Sequence, residues 1–160
     1  MNKKRAMEKK RVAHIPKNYV PKPLSPGDRK LQEKNIKKSR EAYKKGRYLS
    51  REKVKSFHSR RSPHIVKAEK IYKEPDFEKL VKKVPGCRKS LQKEIIKKGK
   101  GAFFSSGSRP NQTPSSWSLA RLASAITGGK AARVDHKEIE DNCKASSKAV
   151  KLLHKNFPGV

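Results

Sequence analysis

Any chemistry in this sequence would have to come from a few clusters of residues. The densest is the serine group Ser105, Ser106, Ser108, Ser115 and Ser116, followed later by the adjacent pair Asp135 and His136. A serine nucleophile needs a base within hydrogen-bond reach and a third group that orients the base. No nucleophile-elbow pattern surrounds these serines, and serines set among Gly, Pro and Asn form turns. His58 and His64 are close in sequence but lack a third ligand. Cys87 and Cys143 match no zinc spacing. Gly99-Lys100-Gly101 lacks the Gly-Lys-Ser/Thr ending of a phosphate-binding loop. The 14 acidic residues lie mostly among lysines, with no carboxylate pair in an apolar setting. The expectation is therefore a protein that is not an enzyme, with no catalytic residues, no cofactor and no metal ligands. What the serine-rich loop does offer is donors. Ser108, Arg109, Asn111 and Gln112 are expected to form a docking loop, with Arg109, Asn111 and Gln112 as bidentate donors.

Composition narrows the partner. Of 160 residues, 43 are Lys or Arg, and the formal net charge is +29. Only 32% is apolar and 36% is charged, which lies toward the disordered side of composition space. A core extending over the full length is not expected, because too little apolar surface opposes the ordering entropy. Such self-repulsion implies a polyanionic partner: nucleic acid, an anionic membrane face or acidic protein surfaces. No segment has the roughly 18 apolar residues needed to span a bilayer. The N-terminal stretch has basic residues but no apolar h-region, so a secretory signal is not expected.

The elements that must position the loop follow in chain order. Residues 1–27 read as an extended basic arm, because Pro16, Pro21, Pro23 and Pro26 forbid a long helix. Its singly spaced Ile15, Tyr19, Val20 and Leu24 read as anchors that dock on a neighbour. Residues 28–75 read as basic helical segments with little core of their own. One helix is expected from Asp28 to Lys45, another from Arg51 to about Arg60, and a short one from His64 to Lys73. Residues 76–157 read as a small helical domain, with helices at about 77–83, 87–98, 114–127 and 136–156. Gly99 should end the second of these. The first two, joined by Pro85-Gly86, have the outline of a helix-turn-helix, although any packed helical hairpin shares it. Thr113 and Pro114 start the third helix well. The expected core is Phe103, Phe104, Trp117, Leu119, Leu122, Ile126, Ile139, Val150, Leu153 and Phe157. In the last helix Ile139, Cys143, Ser146, Val150, Leu153 and Phe157 would share one face. Both cysteines fall on apolar helical positions, so buried free thiols are expected rather than a disulfide. The fold class is mainly α: a small C-terminal helical domain, a long N-terminal arm and no significant sheet.

Three strings carry a family likeness: KKSREAYKKGRY (37–48), SREKVKSFHSRRSPHIVKAEKIY (50–72) and GKGAFFSSGSRPNQTPSSWSLARLASAITGGKAARVD (99–135). Over about residues 28–143 the sequence resembles a small basic protein module of the phycodnaviruses and other giant nucleocytoplasmic large DNA viruses. The likeness implies no chemistry, so no residue role is carried over. It implies a virion or viral-factory location. The expected function is a minor capsid protein of cement or scaffold type, on the inner side of an icosahedral capsid, bridging capsid components. The alternative is a non-specific nucleic-acid-binding protein that condenses or tethers the viral genome. Capsid proteins of the same particle are the expected partners, with internal membrane or genomic DNA against the basic segments. The chain is not expected to act as a free monomer. Its expected place is the capsid interior, and the host cytoplasm during assembly.

Overall fold

The computed structural model describes residues 14–160. The expectations that fall on residues 1–13 of the arm lie outside the described residues. Among the described residues the protein is mainly helical and contains no strand, only one isolated antiparallel bridge between Cys87 and Cys143. A single 3-10 turn, Lys17–Tyr19, precedes α1 (Pro26–Lys44), α2 (Pro63–Ile71), α3 (Phe77–Lys82) and α4 (Lys89–Ser105). Then come α5 (Pro114–Ile126), α6 (Lys130–Val134), α7 (His136–Asn142) and α8 (Lys148–Asn156). The chain divides into two compact units. One is Met1–Ser59 with Phe104–Gln112, and the other is Arg60–Phe103 with Thr113–Val160.

In the first unit α1 starts earlier than expected. Ser25, not Asp28, is the cap: its side chain accepts from the Asp28 amide, and Pro26 fills the first helical position. The helix ends where Gly46 takes φ 74°, as a left-handed C-terminal residue does. The helix expected at 51–60 does not form. Its backbone groups have other partners: the Val54 amide and carbonyl both bond the Asn111 side chain, and the Ser56 amide bonds Asp28. Side chains that satisfy backbone groups in this way compete with helix formation. A small core of Leu24, Ile36, Ala42 and Val54 is buried here.

The second unit holds the larger core. Tyr72, Phe77, Leu80, Leu91, Ile95, Leu122, Ile126, Ile139 and Leu153 belong to one buried cluster. It also takes in Ala68 of α2, so residues 60–75 belong to this domain rather than to the basic segments before it. The buried Tyr72 hydroxyl donates to the Ile126 carbonyl at 2.7 Å, and burial raises its pKa. Thr113 and Ser116 form a full capping box at the start of α5.

Two helix boundaries differ from expectation, each for a physical reason. Gly99 does not stop α4, which runs on through Gly101 to Ser105. A Cβ at Gly99 would lie 2.6 Å from Ser118 Cα, so this glycine is a notch in which α4 meets α5. The helix expected at 136–156 is two helices, α7 and α8. Cys143 leaves the helix to form the bridge and a disulfide with Cys87, so the expectation of free thiols is corrected. The Arg88 amide donates to the Asn142 carbonyl at 2.8 Å, and the Lys144 amide to the Gly86 carbonyl at 2.9 Å. Ser147 then caps α8 by accepting from the Val150 amide. Ser146, expected on the buried face, is exposed.

Of the expected core, Phe103, Leu122, Ile126, Ile139, Val150 and Leu153 are buried. Leu119 and Phe157 are half-buried against the cluster. Trp117 and Phe104 are half-buried and outside it, which corrects their placement in the core.

Candidate functional site

By its composition the loop 104–112 should offer its side chains to a partner. Much of it is held by its own chain instead. Along α1, Gln32, Ser39 and Arg40 project from one face at helical spacing around the buried Ile36. Each donates to a loop carbonyl: Ser39 Oγ to Phe104 at 3.0 Å, Arg40 Nε to Ser106 at 2.8 Å, and Gln32 Nε2 to Ser108 at 3.2 Å. Gly107 has φ 120°, and a Cβ there would lie 3.1 Å from Ile36 Cγ2. Only glycine suits both the angle and the gap.

Ser108 is 1% exposed, and its hydroxyl accepts from Arg51 Nη2 at 2.8 Å. Burial lowers the Arg51 pKa to about 10, which leaves it charged at neutral pH. Asn111 takes φ 62°, a left-handed conformation that asparagine tolerates. Its Oδ1 accepts from the Val54 amide at 2.8 Å, and its Nδ2 donates to the carbonyls of Val54 and Phe57 at 3.1 and 2.9 Å. Ser108 and Asn111 are thus turned inward, a correction to the docking-loop expectation. Gln112 is half-buried. Arg109 is exposed, with its guanidinium 5.9 Å from the Phe57 ring centre.

The arm anchors also meet their own chain. Arg29 donates to the carbonyls of Val20 and Pro21 at 3.2 and 3.3 Å, and Gln32 Nε2 to that of Tyr19 at 3.1 Å. Leu24 is buried, while Ile15, Tyr19 and Val20 are half-buried. Residues 14–25 therefore lie on α1 instead of reaching outward. A sequence signal existed for this arrangement: polar donors at helical spacing opposite a loop rich in turn formers. It reads as a sparse apolar face until the carbonyls it meets are known.

In the second unit Asp135 is fully buried, and Arg121 grips it with two bonds of 2.8 and 2.7 Å. That carboxylate is thereby committed to a structural pair. Lys98 bonds Glu138 and lies 3.7 Å from Asp135. Desolvation pushes the Glu138 pKa up, but the Lys98 bond and charge outweigh it and hold the carboxyl below its ordinary value. Among the described residues no three His, Cys, Asp or Glu stand together to hold a metal ion. No described helix is long and apolar enough to cross a membrane.

Two basic surfaces remain. Beside α3 and α4 lies a groove of about 720 Å³ with Lys82, Lys89, Lys93, Lys97 and Lys100 around Val81 and Ile96. In the first unit, residues 34–51 carry eight Lys or Arg against the single acid Glu41. Lys37, Lys38, Lys45 and Arg47 line an open hollow of about 360 Å³ there.

Residues 16–144 match the sequence profile of a family of unknown function (DUF5824). The match begins at Pro16, so it takes in the arm residues that lie on α1 as well as the loop and most of the second unit. No curated protein and no solved structure matches the chain.

Proposed function

The chain belongs to this family of unknown function, and from that premise we propose that it is a non-enzymatic nucleic-acid-binding protein of a virus particle, one that condenses or tethers a genome by neutralising phosphate charge. One observation carries the reading. On α1 and the turn after it Lys34, Lys37, Lys38, Lys44, Lys45 and Arg47 are all exposed, and among the described residues only Lys44 of these six pairs with an acid, Glu41, at 3.3 Å. Lysines of this kind meet phosphates and read no base edge. The viral setting rests on the sequence likeness alone. The anchors on which a bridging role would depend lie on α1, and this favours nucleic acid over capsid bridging as the main task.

The test is binding of the purified full chain to duplex DNA in low salt, with and without the triple change Lys37→Glu, Lys38→Glu and Lys45→Glu. Helix content should be unchanged and affinity should fall, with the salt slope reduced by about 1 for each phosphate no longer neutralised. Unchanged affinity would mean that this face does not hold the nucleic acid.

The groove beside α3 and α4 favours a second reading. Apolar Val81 and Ile96 ringed by five lysines suit an acidic protein surface better than a bare phosphate chain. On this reading the protein is a minor capsid component on the inner side of the shell, in the virion and, during assembly, in the host cytoplasm. Lys93→Glu with Lys97→Glu should then abolish incorporation into particles and leave DNA binding in place. Normal incorporation of that variant would remove the capsid reading.

A further inference from the structure

The first unit carries a second feature besides its lysines, two exposed tyrosine rings in line with the half-buried Phe104. At the end of α1, the Gly46 amide donates to the Tyr43 carbonyl at 3.0 Å and the Arg47 amide to the Ala42 carbonyl at 2.8 Å. With Gly46 left-handed, the chain reverses and brings Tyr48 back toward Tyr43. The two ring centres are 6.0 Å apart, and Tyr48 lies 5.1 Å from the Phe104 ring. The backbone of Phe104 is held to α1, its carbonyl accepting from Ser39 Oγ. The interplanar angles are 63° and 59°, so the rings do not close face to face on one another. Tyr48 is 68% exposed, Tyr43 38% and Leu49 40%.

Single exposed apolar residues are ordinary on a protein surface. A contiguous row of three rings, two of them within a segment of eight cations and one acid, is a different object. Core packing does not account for it, because the most exposed ring sits in the middle of the row. Duplex DNA does not account for it either, since paired bases keep their faces inside the stack. Unpaired bases expose a π-face of their own. A basic surface carrying aromatic rings is the means by which proteins hold single strands without reading sequence.

We infer that Tyr43 and Tyr48, backed by Phe104, form a stacking platform for unpaired bases, so that the chain prefers single-stranded nucleic acid over duplex. This rests on the nucleic-acid reading above and narrows it to a class of strand. Lys44 and Arg47, the sequence neighbours of the two tyrosines, meet the phosphates, and the rings take the bases. Stacking does not sense the sugar, so DNA and RNA strands are held alike.

The experiment measures anisotropy of labelled oligo-dT, oligo-rU and a mixed-sequence duplex with the full chain at one salt concentration. Tyr48→Ala should weaken both single strands by about tenfold, the effect of losing one stacked base, and leave duplex affinity unchanged. Tyr48→Phe keeps the ring and should bind as the unaltered chain does. Circular dichroism of Tyr48→Ala should be unaltered, since the side chain is mostly in solvent. Equal loss on duplex and single strands, or no loss on either, overturns the platform and leaves the nucleic-acid reading standing. Failure of the unaltered chain to bind any of the three probes in low salt overturns both. Displacement of oligo-dT by poly-glutamate at equal charge, with Tyr48→Ala indifferent, assigns the surface to an acidic protein instead and overturns the platform.

Discussion

In the second unit Leu91, Ile95, Leu122, Ile126, Ile139 and Leu153 are fully buried in one cluster, and helices α2 to α8 are arranged around them. The first unit buries only Leu24, Ile36, Ala42 and Val54 among its described apolar residues. Its remaining cohesion is polar. Gln32, Ser39 and Arg40 hold loop carbonyls, Arg51 holds Ser108, and Asn111 holds a segment some fifty residues earlier in the chain. The same chain therefore solves the ordering problem in two ways. Where apolar residues are available, burial at about 25 cal/mol per Å² does the work. Where they are scarce and lysines must stay wet, side chains bond backbone groups that would otherwise lie buried and unpaired. The polar solution leaves the outer faces of the first unit free for charge.

Perturbations should separate the two solutions, and the largest effect belongs to the second unit. Arg121→Ala leaves the fully buried Asp135 carboxylate without its bidentate partner. Loss of one member of such a pair costs about 3–5 kcal/mol. Urea unfolding followed by Trp117 fluorescence should show the midpoint drop, and an unchanged midpoint would mean that Lys98 alone suffices for Asp135.

Asn111→Ala should be next. It removes three hydrogen bonds, each worth about 0.5–1.5 kcal/mol, and places alanine at a left-handed φ. The loss should be confined to the first unit. Amide exchange at Val54 and Ser56 should speed up while Leu122 and Ile126 keep their protection. Equal acceleration in both sets would mean that the units do not hold themselves together separately.

Gly99→Ala should be smaller. Alanine favours a helix interior over glycine by up to about 1 kcal/mol, but the added methyl meets Ser118 backbone at 2.6 Å. Overpacking of that kind costs about 1–3 kcal/mol, so the net change should be destabilising. A rise in thermal midpoint would show that α4 and α5 can separate at no cost.

The smallest effect is acidic. Asp28 accepts from the Ser56 hydroxyl and amide, and these bonds hold its carboxyl below the ordinary 3.8. A lowered folded pKa gives stability that is complete above the unfolded value and is lost as pH falls through the folded one. The first unit should therefore loosen below pH 3.8, and Asp28→Asn should remove that part of the acid titration. Amide exchange at Ser56, followed from neutral pH down through the acid range, reads it.

The contrast between the units also explains what the sequence disclosed. Leu122 and Ile126, or Ile139, Val150 and Leu153, declare a buried face because apolar periodicity is a property of neighbours along the chain. Thr113 and Pro114 declare a helix start for the same local reason. Gly99 misleads, because a glycine that ends a helix and one that admits another backbone look alike until the partner is known. Cys143 likewise sits at a helical spacing and instead ends the helix in a disulfide. Asn111 and Ser108 are legible as donors, but their partners lie in segments far away in the chain, so on sequence they read as an outward surface. The prolines of the arm are legible as barring a long helix, and the contacts of residues 14–25 with α1 are not.

On the nucleic-acid reading the exposed lysines hold the phosphate backbone and read no base sequence. The most direct test of that reading is the affinity of the full chain for two duplexes of unrelated sequence over a series of salt concentrations. Binding should be tight at low salt and follow one common straight line of log affinity against log salt, with a slope of about −0.9 for each phosphate neutralised. A flat line, or a strong preference for one duplex, would contradict it.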